Sequence, residues 1–242
     1  MVDAALEVTG LVAGYDPDFP ILHGINIRIK KNALTLVIGP NGAGKSTLIK
    51  AIAGVVPSFS GKIEIGGKSL RGIRPDQLGQ FGISYVPQTE NIFRNLSVKR
   101  NIELVLGLAG QKHSGQFEEL MDLFPALSEK LTAKASTLSG GQRQMLALAM
   151  ALAKKPSILL MDEPSAGLSP RVAEDVLTFT KSLTEQQVTI LLVEQNVKQA
   201  LEVADHCYIL AEGRNQLDDT AKRLIGNPLI SEIFMGSKRM AS

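Results

Sequence analysis

Short apolar runs recur at both ends of the chain, and a stretch with helical spacing lies between them. Ile25, Ile27 and Ile29 alternate with polar residues, as one face of a half-buried strand does. Leu6 to Val8 reads as another strand, and so does Lys62 to Ile65, which Gly66-Gly67 closes. The apolar run Leu34 to Ile38 stops at Gly39, the pattern of a buried strand feeding a tight turn. Gly82 to Val86, Ile158 to Met161 and Val188 to Val193 follow as further strand-like runs, the last two short, apolar and bounded by polar residues. Strands of this kind suit a parallel sheet covered by helices. Between Asn91 and Lys155 the period lengthens, with Leu120, Leu123 and Phe124, then Met145, Leu146, Leu148 and Ala149, spaced as on helices. A helical lobe inserted into an α/β core is therefore expected. Gly107 to Gly115 is the most linker-like segment.

Composition adds bounds. The chain has 242 residues, is 44% hydrophobic and 21% charged, enough for one sizeable core and one domain. A net charge of +2 gives no electrostatic case for nucleic acid or an anionic membrane surface. The lone Cys207 excludes an internal disulfide framework and fits a reducing compartment. The first ten residues, MVDAALEVTG, have no basic segment leading into an apolar run, so no secretory leader is expected. No stretch reaches the roughly 18 to 20 uninterrupted apolar residues of a membrane-spanning helix. Service to a membrane would need a docked position and a separate membrane chain.

Three motifs carry chemistry. Gly39, Pro40, Asn41, Gly42, Ala43, Gly44, Lys45, Ser46 and Thr47 follow a buried strand and precede the helix-compatible run Leu48 to Ala53, the context that G-x-x-x-x-G-K-[ST] requires. Glycines there let backbone N–H groups approach a polyphosphate, and the helix start adds partial positive charge. Lys45 would pair with the β- and γ-phosphates and the Ser46 hydroxyl would meet Mg²⁺. A bare match arises by chance in roughly one or two such chains per hundred, and the strand-to-helix context lowers that further. Second, Ile158 to Pro164 sets Asp162 and Glu163 at the carboxyl end of a strand, where open α/β sheets bind ligands. Asp162 would hold the Mg²⁺ shell, and Glu163 would act as general base, typically worth about 10² to 10⁴ in rate. Alone, this run reads as a strand and a turn; beside the phosphate loop it reads as a site. Third, Leu138, Ser139, Gly140, Gly141 and Gln142 precede a helical run and form a second anion-type helix start without an obvious phosphate in the same chain.

Together these residues resemble the ATP-binding cassette family, over essentially the whole chain. The resemblance implies an α/β fold: a P-loop NTPase core with a parallel-rich sheet, an N-terminal antiparallel β subdomain and an inserted α-helical subdomain. It places the core at 1–90 and 154–242 and the helical insertion at 91–153 of a single 1–242 domain. It implies ATP and Mg²⁺ as ligands, with Ser139, Gly140, Gly141 and Gln142 completing the nucleotide site of a partner subunit. Tyr15 matches the aromatic that stacks on adenine, where roughly 1 to 3 kcal/mol is typical of stacking. Gln88 matches the glutamine that contacts Mg²⁺ and the attacking water and links core to helical lobe. Ser165 to Pro170 matches the loop that crosses the dimer interface.

Two positions depart from the family pattern. Ser169 stands where an aspartate is usual in the crossing loop, and Gln195 stands where a switch histidine is usual; His23, His113 and His206 lie elsewhere. A glutamine amide can donate to a γ-phosphate but does not titrate. The run Val193 to Asn196, the loop Ser165 to Pro170, Phe124 to Lys130 and a C-terminal helix ending near Met235 look like the shorter ATPase of branched-chain and neutral amino-acid importers. Urea importers share much of this pattern. The implied partners are a second cassette ATPase, as a heterodimer with a homodimer as alternative, two transmembrane permease subunits and, indirectly, a substrate-binding protein. The implied place is peripheral, at the cytoplasmic face of the membrane. A lipid or lipopolysaccharide exporter ATPase and a non-transport cassette protein acting on ribosomes or DNA are the alternatives.

Overall fold

The computed structural model describes residues 4–108 and 115–239, so most of the linker-like segment Gly107 to Gly115 lies outside the described residues. The N-terminal part forms a four-stranded sheet in the order β2-β1-β4-β5, made of β1 (Ala4–Ala13), β2 (Leu22–Lys30), β4 (Ser58–Ile65) and β5 (Lys68–Ser69). All its pairings are antiparallel. The alternation Ile25, Ile27, Ile29 does what its period requires, burying these three side chains while Asn26 and Arg28 stay outside. The strand expected at Lys62 to Ile65 is longer, beginning at Ser58. Its first residues, Ser58 to Gly61, include one apolar side chain, Phe59, and none of them is buried, which hides them from a hydrophobicity pattern.

The second sheet has six strands in the order β10-β9-β3-β8-β7-β6: β3 (Leu34–Ile38), β6 (Ile83–Val86), β7 (Ile158–Asp162), β8 (Thr189–Val193), β9 (His206–Ala211) and β10 (Arg214–Thr220). Five run parallel and β10 closes one edge antiparallel to β9. Every residue of β3, β7 and β8 is buried, as expected of strands covered on both faces. Their side chains alternate between two cores. Leu34, Leu36, Ile38, Leu159, Met161, Ile190 and Leu192 pack with the helices that cover one face. Val37, Ile158, Leu160, Leu191 and Val193 join α1 (Lys45–Ile52) and the antiparallel sheet on the other.

Between β6 and β7 the chain forms α2 (Val98–Leu108), α3 (Gln116–Asp122), α4 (Pro125–Ser128) and α5 (Gly140–Leu152), then α6 (Pro170–Ser182), α7 (Val197–Val203), α8 (Ala221–Leu224) and α9 (Pro228–Arg239) follow in the remainder. The C-terminal helix thus runs past Met235. Two strand starts shift by one residue. Gly82, at φ 66, ends the 3-10 turn Pro75–Phe81 before β6 begins, and β8 begins at Thr189 rather than Val188. No described helix is long and apolar enough to cross a membrane.

Candidate active site

Strands β3, β6, β7 and β8 are parallel neighbours, so their carboxyl ends present Gly39, Pro87, Glu163 and Glu194 along one rim of the sheet. The loop after β3 turns sharply into α1. Gly44 sits at φ 94 at the helix start, a left-handed conformation that strains any residue with a Cβ. Gly39 is excluded from substitution by space instead, since a Cβ there would lie 2.1 Å from the Leu210 carbonyl oxygen of β9.

Lys45 is buried, and its Nζ donates to the carbonyls of Gly39 at 2.9 Å and Pro40 at 3.2 Å. Burial lowers its pKa from the ordinary lysine value, an effect opposed by the nearby charges of Glu163, Asp162 and Glu194. One residue on, Ser46 Oγ donates to Asp162 Oδ1 at 3.0 Å. The parity of β7 aims Asp162 at α1, because Ile158 and Leu160 already face that side. Burial raises the Asp162 carboxyl above its usual range, and the Ser46 hydroxyl acts against that rise.

Glu163 leaves the strand with φ 49, and its N–H donates to the Val193 carbonyl at 2.9 Å. Its carboxylate is gripped from two elements. Gln88 Nε2 donates to Oε2 at 2.8 Å, and Gln195 Nε2 donates to Oε1 at 2.9 Å and to Oε2 at 2.8 Å. Gln88, Asp162, Glu163 and Gln195, distant in sequence, therefore join Lys45 and Ser46 in one cluster. Behind Gln88, Asn91 Nδ2 donates to the Pro87 carbonyl at 3.2 Å and meets Gln144 Oε1 on α5 at 3.5 Å, tying the loop after β6 to the helical segment.

Other expected site residues lie apart from this cluster. Tyr15, in the connection between β1 and β2, is 66% exposed, as a free stacking face must be. Ser139 and Gln142 start α5 by bonding each other: Gln142 N–H donates to Ser139 Oγ at 3.3 Å and Ser139 N–H to Gln142 Oε1 at 3.1 Å. This reciprocal cap leaves Gly140 and Gly141 in the first turn, and Lys130 adds a bond to Gln142 at 3.3 Å. None of these bonds reaches residues 39–47. Ser169 occupies the cap position of α6 without a side-chain cap bond.

Glu194 belongs to the site although sequence reasoning assigns it no role. It is 1% exposed, accepting Ser165 N–H at Oε1 at 2.9 Å and Gln195 N–H at Oε2 at 3.1 Å. Its sequence signal is an acid directly after the mostly apolar strand β8, the position that Glu163 holds after β7.

For a magnesium ion the donor set fits. A hydroxyl and a carboxylate oxygen adjoin at Ser46 and Asp162, and Gln88, whose nitrogen is turned to Glu163, keeps its amide oxygen available. Mg²⁺ takes such hard oxygens sparingly and fills its octahedron with phosphate oxygens and water. No group of three His, Cys, Asp or Glu side chains among the described residues forms a cage of its own.

A strand-to-helix phosphate loop on the central strand β3, with Asp162 and Glu163 at the end of β7, two places along the sheet, defines the fold of a P-loop nucleoside triphosphatase, and the family profile described as ABC transporter matches residues 22–166. The chain belongs to the ABC transporter family. Within it, this chain is 40% identical to a probable branched-chain amino acid transport ATP-binding protein LivF of Archaeoglobus fulgidus, covering 96% of this chain and 98% of that one. It is 37% identical to the high-affinity branched-chain amino acid transport ATP-binding protein BraG of Pseudomonas aeruginosa, covering 93% and 97%. A crystal structure of the ADP conformation of an ATP-binding cassette of an ABC transporter superposes with a TM-score of 0.85 at 28% identity, covering 97% and 99%.

Proposed function

We propose that this chain binds and hydrolyses ATP as a peripheral subunit of an importer of branched-chain or other neutral amino acids, at the cytoplasmic face of the membrane. The observation that carries the catalytic part is the Glu163 carboxylate, held by the Gln88 and Gln195 amides beside Lys45 and the Ser46–Asp162 pair. The substrate class follows the two relatives whose names give branched-chain amino acid transport and the glutamine at the switch position.

Residues of the loop Gly39 to Thr47 bind the triphosphate through backbone N–H groups, and the Lys45 ammonium exchanges carbonyl partners for β- and γ-phosphate oxygens. Ser46, Asp162 and Gln88 would hold Mg²⁺, which supplies charge neutralisation on the phosphate oxygens when bound. Tyr15 stacks on the adenine. Glu163 accepts the proton of the attacking water, and Gln88 and Gln195 orient that carboxylate. The Ser139 to Gln142 turn closes the site of a second cassette ATPase, in a heterodimer. Through Gln88, Asn91 and α5, closure moves the 91–153 lobe against cytoplasmic loops of two permease subunits. A substrate-binding protein takes part on the far side.

Glu163→Gln tests the base. ATP affinity should stay near wild type, hydrolysis should fall by about 10² to 10⁴, and an ATP-bound dimer should accumulate on size-exclusion chromatography. Turnover at the wild-type rate would remove Glu163 from this role. Co-purification with the permeases and uptake of labelled leucine in vesicles test the transport reading.

A further inference from the structure

We propose that Glu194 is a positioning residue for hydrolysis, clamping the start of the crossing loop Ser165 to Pro170 to the switch Gln195 so that both move with Glu163. This inference rests on the ATPase reading above. Glu194 is the first residue after β8, and its side chain is enclosed at 1% exposure. Each carboxylate oxygen takes one backbone donor. Oε1 accepts Ser165 N–H at 2.9 Å, from a residue 29 positions earlier, and Oε2 accepts Gln195 N–H at 3.1 Å. Gln195 in turn reaches both oxygens of Glu163 at 2.9 and 2.8 Å. A continuous chain of bonds thus runs from the crossing loop through Glu194 and Gln195 to the proposed base.

Packing does not require an acid here. Burial pushes the Glu194 carboxyl above its ordinary range, and an apolar chain of equal length would fill the space without that penalty. What only a carboxylate of this reach provides is two acceptors facing two N–H groups. A glutamine has one acceptor, so one of the two donors would confront an NH₂ group. The crossing loop lies, on the family reading, against the partner subunit. Glu194 would then convey the partner's presence to the catalytic carboxylate through a bond rather than through packing.

Two substitutions of similar reach separate positioning from filling. In the complete transporter complex, Glu194→Gln and Glu194→Met should each lower kcat for ATP by about tenfold or more while KM stays within about twofold. A Glu194→Met complex with wild-type kcat would reduce the residue to a space filler and overturn the proposal. Because Glu194 acts through its neighbour, Glu194→Gln combined with Gln195→Ala should be no slower than Gln195→Ala alone. Multiplying losses would overturn it too. Amide spectra of the full ¹⁵N-labelled chain need no turnover: in Glu194→Gln the Ser165 or the Gln195 amide proton should move upfield, and two unmoved resonances would refute the clamp. If the wild-type complex fails to hydrolyse ATP, the functional reading falls while the amide shifts still decide the clamp.

Discussion

Gln195 donates from one nitrogen to both oxygens of Glu163, and an amide keeps that ability at every physiological pH, whereas an imidazole gains a proton near pH 6.5. The wild-type kcat should therefore be nearly flat from pH 6 to 8 through this position. Gln195→His should introduce a step near the histidine pKa, and Gln195→Ala should slow hydrolysis by about tenfold or more. A pH–rate series on the three complexes decides it, and a wild-type rate for the alanine variant would remove Gln195 from the machinery. Lys45, Ser46, Asp162 and Glu163 were legible in the sequence because each sits in a local motif whose spacing states its chemistry. Gln88 and Gln195 could be assigned only through the family resemblance. Glu194 was hidden for a different reason: its main partner, Ser165 N–H, is 29 residues away, and nothing in its neighbours announces that bond.

Strands β3, β7 and β8 were readable because burial on both faces favours near-continuous hydrophobicity, broken here only by Thr35, Asp162 and Thr189, and all five residues of each are buried. Strand β10, with Arg214, Asn215, Asp218 and Asp219, carries the polarity of an edge, which blunts further pairing and also disguises the strand as a loop. Its partner β9 starts at His206 and buries Cys207, Tyr208, Ile209 and Leu210, and no sequence expectation covered it. That neglected strand constrains the phosphate loop, since Gly39 lies against the Leu210 carbonyl. Gly39→Ala would place a Cβ 2.1 Å from that oxygen and force β3 and β9 apart. A stability loss of about 1 to 3 kcal/mol is expected, with weaker ATP binding. Urea unfolding measures it, and an unchanged midpoint would show that the strands can spread freely.

The parallel sheet divides the whole molecule into two cores, and Cys207 lies against the helical one with no exposed surface. Burial pushes its thiol up to about 12, so it remains protonated through the neutral range and reacts poorly. Alkylation of the native chain by iodoacetamide should be negligible at pH 7 and rise little by pH 9. Under denaturant it should become complete and track unfolding. Rapid native labelling would mean that this face of the sheet opens. The division into two cores was not legible beforehand, because hydrophobicity marks a residue as buried without saying on which side; only the strand order assigns a face. The same alternation supplies a reading frame for the site. Asp162 faces Ser46 because it stands an even number of residues from Ile158 and Leu160. Deleting one residue from Ile158 to Met161 would swing the acid to the helical side while leaving the strand apolar. Insertions and deletions in β7 can therefore be accommodated only in pairs, a constraint on the lineage of this chain that no comparison of residue types alone would register.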